Sequence, residues 1–205
     1  MKLETRYYNT PLTVRAAPDE DGKKVLEGRA VPFNELSDDL GGFQERIAAG
    51  AFDLNHTIKS FWSHNPELIL GSTKSKTLKL EERADGIHFS LDLPNTSTGN
   101  DAFISTSRGD VDGMSFGMLV EEDRIDQVEG NIVRTVLAAE LIEISPVAFP
   151  AFSQTNISAE LRSRVDAFST EPIVTASGHV EEDRDDETPS SIPLLERELD
   201  LLELE

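Results

Sequence analysis

The chain contains no cysteine. Disulfide frameworks, thiol nucleophiles and cysteine-ligated zinc or iron–sulfur centres are therefore excluded, and a reducing compartment fits. Basic residues are scarce: 19 Lys and Arg stand against 39 Asp and Glu, a formal net charge of -20 over 205 residues. A surface of that sign repels phosphate backbones and anionic lipid, so neither nucleic acid nor a membrane is an expected partner. Long apolar runs are missing too, with nothing near the roughly 18 residues a membrane-spanning helix needs. Behind Met1–Arg6 no apolar stretch follows, so a secretory signal is not expected. Aromatic residues make up only 6 % of the chain, with a single Trp. The length still allows one domain of ordinary size with a real core. Four histidines without H-x-x-x-H spacing give no metal signature, and Gly41-Gly42 lacks the Gly-Lys-Ser/Thr of a phosphate loop. Neither a metal nor a cofactor is expected.

What charge there is lies unevenly. Glu171 to Glu205 holds twelve acids against Arg184 and Arg197, half of the net charge. Glu181 to Ser191 is acid, Pro and Ser with almost nothing to bury, the composition of a disordered linker. Beyond it, Ile192, Leu195, Leu199 and Leu202 form one stripe of a short amphipathic helix, with Ser190 or Ser191 as cap and Pro193 in the first turn. A lone helix of that length is marginal in water and calls for a partner surface. The expected organisation is a folded domain over residues 1–165 and an acidic linker with a terminal helix over 166–205.

The body reads mainly as strands. Lys24 to Phe33 follows the Asp21-Gly22 turn signal. Ile58 to Trp62 stops at Ser63-His64-Asn65-Pro66. Leu68 to Leu70 and Thr77 to Glu81 flank a Ser/Lys turn. Ile87, Phe89, Leu91 and Leu93 alternate with polar residues, the period of a half-buried strand. Met114 to Glu122 and Ile132 to Val147 are further strands. Short helices are expected near Glu45 to Asn55, Asp101 to Arg108 (Ser97 or Thr98 near its start, Gly109 at its end) and Ser158 to Phe168. The pattern predicts a mainly β fold of α+β type, an antiparallel β-barrel with surrounding short helices and a disordered acidic C-terminal tail.

Three places could carry chemistry. His64 stands where a strand leaves the core and turns, a position the scaffold fixes while solvent reaches it. His88 falls on the polar side of its strand, His56 at an expected helix end, and His179 at the head of the acidic tail. Ser115, in Gly113-Met114-Ser115-Phe116-Gly117, matches the G-x-S-x-G nucleophile elbow, but a turn precedes it and a strand, not a helix, follows. On the short motif alone, a small residue for close strand packing is the favoured explanation. In Val136 to Val147, an apolar strand is interrupted by Glu140 and Glu143, an odd number of residues apart and so expected on opposite faces. A buried carboxylate needs a partner, and an imidazole would serve; the other reading places both acids at an edge with no role.

Taken in order, several strings resemble the prohead (capsid-maturation) protease family of tailed bacteriophages. They are Gly28-Arg29-Ala30-Val31-Pro32-Phe33, Glu45-Arg46-Ile47-Ala48-Ala49-Gly50-Ala51-Phe52, Ser63-His64-Asn65-Pro66, Asp112-Gly113-Met114-Ser115-Phe116-Gly117 and Glu143-Ile144-Ser145-Pro146-Val147-Ala148-Phe149-Pro150. Their spacing is compatible over Lys24 to Ile157, and the acidic tail is not covered. The resemblance implies a serine endopeptidase with a fold like that of herpesvirus assemblin proteases, a β-barrel surrounded by helices. It implies cleavage of the scaffolding segment of the major capsid protein, or of a separate scaffold, and then of the protease itself, inside the immature capsid in the bacterial cytoplasm. It carries the family's histidine onto His64, its nucleophile onto Ser115 and its acid onto Glu143, with Glu140 as the other choice. A homodimer is compatible with that family likeness. The contrasting expectations are a non-catalytic scaffolding protein that keeps the fold, and an α/β-hydrolase-type esterase using Ser115.

Overall fold

A computed structural model describes residues 3–8, 12–14, 23–148 and 159–170, all within one unit, Met1–Glu171. The acidic linker, the Ile192/Leu195/Leu199/Leu202 stripe and His179 lie outside the described residues.

Among the described residues, eleven strands and two helices run β1 (Glu4–Tyr8), β2 (Leu12–Val14), β3 (Val25–Pro32), β4 (Gln44–Ile47), β5 (Phe52–Asp53), β6 (Lys59–Trp62), β7 (Asn65–Ser72), β8 (Leu78–Arg83), β9 (Gly86–Asp92), α1 (Ser97–Ser107), β10 (Gly113–Val128), β11 (Asn131–Val147) and α2 (Ala159–Thr170). The expected mainly β fold forms, with the strands curled as a half-barrel. The alternation that predicts β9 is visible in its burial, since Ile87, Phe89 and Leu91 face the core. One sheet has the order β2-β3-β9-β8, antiparallel throughout. The other has the order β1-β10-β11-β6-β7, built on the long hairpin of β10 and β11. Glu129 and Gly130 close that hairpin, both at positive φ, as a two-residue turn matched to strand twist requires.

The second sheet is mixed rather than purely antiparallel. Three short segments, β4, β5 and β6, lie in succession along β11, each parallel to it. The helix expected near Glu45 to Asn55 is therefore absent. Its alanines favour a helix intrinsically, but tertiary pairing overrides that weak preference. Glu45 and Ile47 are both fully buried at a spacing of two, and Gly50 breaks the chain at a φ of 76°. The other two expected helices form. The first is capped by Thr96, one residue ahead of the expected cap, and its hydroxyl accepts from the Gly99 N–H at 3.2 Å. Gly109 follows the last turn at a φ of 80°.

The main core lies between the sheets. Leu26, Ile87, Phe89 and Leu91 from one meet Met114, Phe116, Leu141 and Ile144 from the other. Each such side chain contributes about 1.5–3 kcal/mol on full burial. Phe52 and Phe116 meet edge to face at 6.2 Å. A smaller cluster of Leu161, Val165 and Phe43 seats α2.

Candidate active site

β11 carries a buried polar group at each end, and one of these holds the residues expected to do chemistry. Opposite β10, Ser115 pairs with Ser145 and Gly117 with Glu143. Directly opposed residues share a sheet face, so Ser115, Gly117, Ser145 and Glu143 all point away from the core-facing Phe116 and Ile144. The register then slips: Met118 pairs with Leu141, leaving Ile142 without an opposite number. This bulge resets the phase of the strand. Leu141 returns to the core only three residues before Ile144. The expectation that Glu140 and Glu143 take opposite faces is thereby corrected, since both face away from the core.

His64 comes from a different hairpin. β6 and β7 are joined by Ser63 and His64 alone, with φ of 50° and 61°. Two left-handed residues are what such a turn demands, and Asn or Gly fills it more cheaply than Ser and His. The turn is tied to β11 by the Ser63 N–H donating to the Pro146 carbonyl at 3.2 Å and the His64 N–H donating to Ser145 Oγ at 3.2 Å. The strand expected to stop at Ser63-His64-Asn65-Pro66 thus turns within two residues, and Asn65 already begins β7.

The imidazole is aimed by the carboxylate. His64 Nδ1 donates to Glu143 Oε1 at 2.6 Å, and the other oxygen, Oε2, accepts from Ser145 Oγ at 2.6 Å. Glu143 is 6 % exposed, whereas the His64 side chain keeps 22 % of its surface in solvent. Gly117 makes room for this carboxylate. A Cβ there would lie 3.0 Å from Glu143 Oε1 and 3.3 Å from its Cγ. A glycine inside a strand often marks such a close approach.

Ser115 is fully buried, and its hydroxyl donates to the Arg6 carbonyl of β1 at 2.8 Å. It sits near the start of a sixteen-residue strand with no helix after it, so the nucleophile-elbow context of an α/β-hydrolase is absent. Glu140 is turned elsewhere. It lies 3.7 Å from His56 Nε2, which is hydrogen-bonded to the Leu141 carbonyl at 2.8 Å. His56 stands in the connection between β5 and β6, not at a helix end. His88, on the polar side of β9 as expected, is bonded to Asp85 at 3.0 Å, and that bond holds the Asp85 carboxyl below its usual range. Among the described residues, no group of three or more His, Asp or Glu is placed to hold a metal ion.

Two features of the site are absent from the expected set. The Ile142 bulge has no local signature. Ser145 does have one, because a position two beyond Glu143 on a strand shares its face.

An imidazole held by a buried carboxylate, on the sheet face that also carries a serine, has the parts of a serine–histidine–acid hydrolase site. The chain belongs to the caudovirus prohead serine protease family, whose family model matches residues 10–169. No curated protein and no solved structure matches the chain. Membership makes it a capsid-maturation protease of the serine class in general terms, one that works with capsid proteins in the phage procapsid. No helix among the described residues is long and apolar enough to cross a membrane.

Proposed function

We propose that this protein is a serine endopeptidase in which Ser115 is the nucleophile, His64 the general base and Glu143 the acid that orients it. The observation that carries this reading is the 2.6 Å bond from His64 Nδ1 to buried Glu143, on the sheet face that also holds Ser115. With Nδ1 donating to the carboxylate, Nε2 is left as the basic nitrogen. For reaction, the Ser115 hydroxyl turns from the Arg6 carbonyl toward Nε2. Catalytic hydrogen bonds of this kind often tighten only when substrate is bound.

Ser115 Oγ then bonds to the scissile carbonyl carbon while its proton passes to His64. Collapse of the tetrahedral intermediate breaks the C–N bond, and His64 hands the proton to the leaving amine. Water, deprotonated by the same imidazole, releases the acyl group and restores Ser115. Glu143 stabilises the transient imidazolium throughout. Glu143 is preferred over Glu140 because Glu140 faces His56.

The substrates are the scaffolding segment of the major capsid protein, or a separate scaffold, and the protease itself. The domain over residues 1–165 does the cutting, as a monomer or a homodimer. The 166–205 segment takes the enzyme into the assembling shell, its Ile192/Leu195/Leu199/Leu202 stripe laid in a groove of a scaffold partner. Family membership and the composition of that segment support these steps.

The alternative is a shell component that keeps the fold without cutting. The complete burial of Ser115 and its bond to Arg6 favour that alternative. Co-expression with the capsid precursor decides between the two, read as cleavage by mass spectrometry. Wild type cuts and Ser115→Ala does not; cleavage by purified Ser115→Ala overturns the proposal.

A further inference from the structure

We infer that Ser145 is a positioning residue of this site, one that acts through Glu143 and His64 rather than on substrate. This rests on the serine-peptidase reading above. Ser145 is fully buried on β11 and its hydroxyl is used twice. As donor it reaches Glu143 Oε2 at 2.6 Å, and as acceptor it takes the His64 main-chain N–H at 3.2 Å. One oxygen atom therefore fixes both ends of the histidine–carboxylate pair.

Each contact has a distinct consequence. A carboxylate that receives a hydrogen bond on Oε2 cannot rotate freely, so Oε1 stays aimed at Nδ1. Hydrogen bonds to a charged group are about twice as strong as neutral ones, and a buried carboxylate oxygen left without one is costly. The second contact holds the backbone of His64 at a left-handed turn position, φ 61°, that a non-glycine residue adopts only under constraint. Ser145 thus counters the two motions that would separate imidazole from carboxylate: carboxyl rotation and relaxation of the turn. It lies directly across from Ser115 in the β10–β11 register, so the same strand pair that carries the nucleophile sets the base.

The test is the rate at which a fluorophosphonate probe labels Ser115, with capsid-precursor cleavage as a second readout, for wild type, Ser145→Ala, Glu143→Gln and the double variant. Ser145→Ala is expected to slow labelling about tenfold, and the double variant to label within about twofold of Glu143→Gln alone, because two residues acting as a unit are not additive. Ser145→Cys keeps the shape with a weaker donor; it carries the same test if the alanine variant does not fold. Wild-type rates in Ser145→Ala, or losses that multiply in the double variant, overturn the role of Ser145 while the peptidase reading stands. Absence of labelling in wild type, or equal labelling of Ser115→Ala, overturns that reading, and the role of Ser145 with it.

Discussion

The two ends of β11 carry buried polar clusters of different design. At the C-terminal end are Glu143 and Ser145, with an imidazole reaching in from a turn. Toward the N-terminal end, Arg134 and Arg6 share the fully buried Glu45: Arg134 Nη1 at 2.8 Å from Oε2, Arg6 Nε at 2.6 Å from Oε1. Arg134 also reaches Glu4 at 2.7 Å and Asp123 at 2.6 Å, and Arg6 contacts Glu4. Arg164 on α2 extends the chain of charges to Asp123 at 2.6 Å.

The two clusters differ in what can move. Burial disfavours the guanidinium charge on Arg6 and Arg134, but the surrounding carboxylates more than offset it and both pKa values rise. Neither group can exchange a proton near neutrality, so this cluster fastens β1, β4, β10, β11 and α2 together and does no acid–base chemistry. In the other cluster the cation is replaced by a histidine on a strained turn, partly open to solvent. The cluster whose cations stay charged serves structure, and the one built on an imidazole is the one proposed for chemistry.

The largest break in this comparison comes from the chemical end. Ser115→Ala or His64→Ala is expected to lower kcat on the order of 10⁴–10⁶-fold, with little loss of thermal stability. Peptide cleavage kinetics alongside thermal melts check this, and a large drop in Tm with modest activity loss would reverse the two roles. At the structural end, Glu45→Gln breaks a buried ion pair, and an expected loss of about 3–5 kcal/mol should be measurable in urea unfolding. Glu143→Gln keeps the shape but weakens the hold on the imidazolium. We expect about a 100-fold fall in kcat with KM nearly unchanged, against no comparable effect of Glu140→Gln.

Gly117→Ala is a subtler probe, since its methyl would press on Glu143. A fall of about tenfold in kcat is expected, with the fold intact, by comparing rates and circular dichroism. The smallest effect is one of pH. Burial raises the Asp123 carboxyl, but hydrogen bonds from Arg164 and Arg134 outweigh it and hold the pKa below the usual value. Its contribution is therefore present above about pH 3.9 and fades as pH falls through the lower folded value. Melting curves of wild type and Asp123→Asn should differ by a few degrees at pH 7 and converge in acid; a constant gap would show that Asp123 acts through packing alone.

Much of this architecture is legible in the chain. Alternation marks β9 because one face of that strand is buried and the other is not. His64 is locatable because a Ser-His-Asn-Pro string after an aromatic pair marks a turn leaving the core. The segment around Glu45 misleads, since its alanines speak for a helix and only pairing with β11 makes it a strand. Local pattern does not separate Glu140 from Glu143, and only the family-like string around Glu143 favours it: strand parity predicts opposite faces, and the Ile142 bulge cancels it.

The amino-acid order alone determined the alternating strands, the acid-rich composition and the small set of residues able to do chemistry, because these follow from side-chain type and local period. Only the tertiary structure decided which acid meets His64 and what Ser145 does. Both depend on register between strands far apart in the chain, and no local energy term encodes that register.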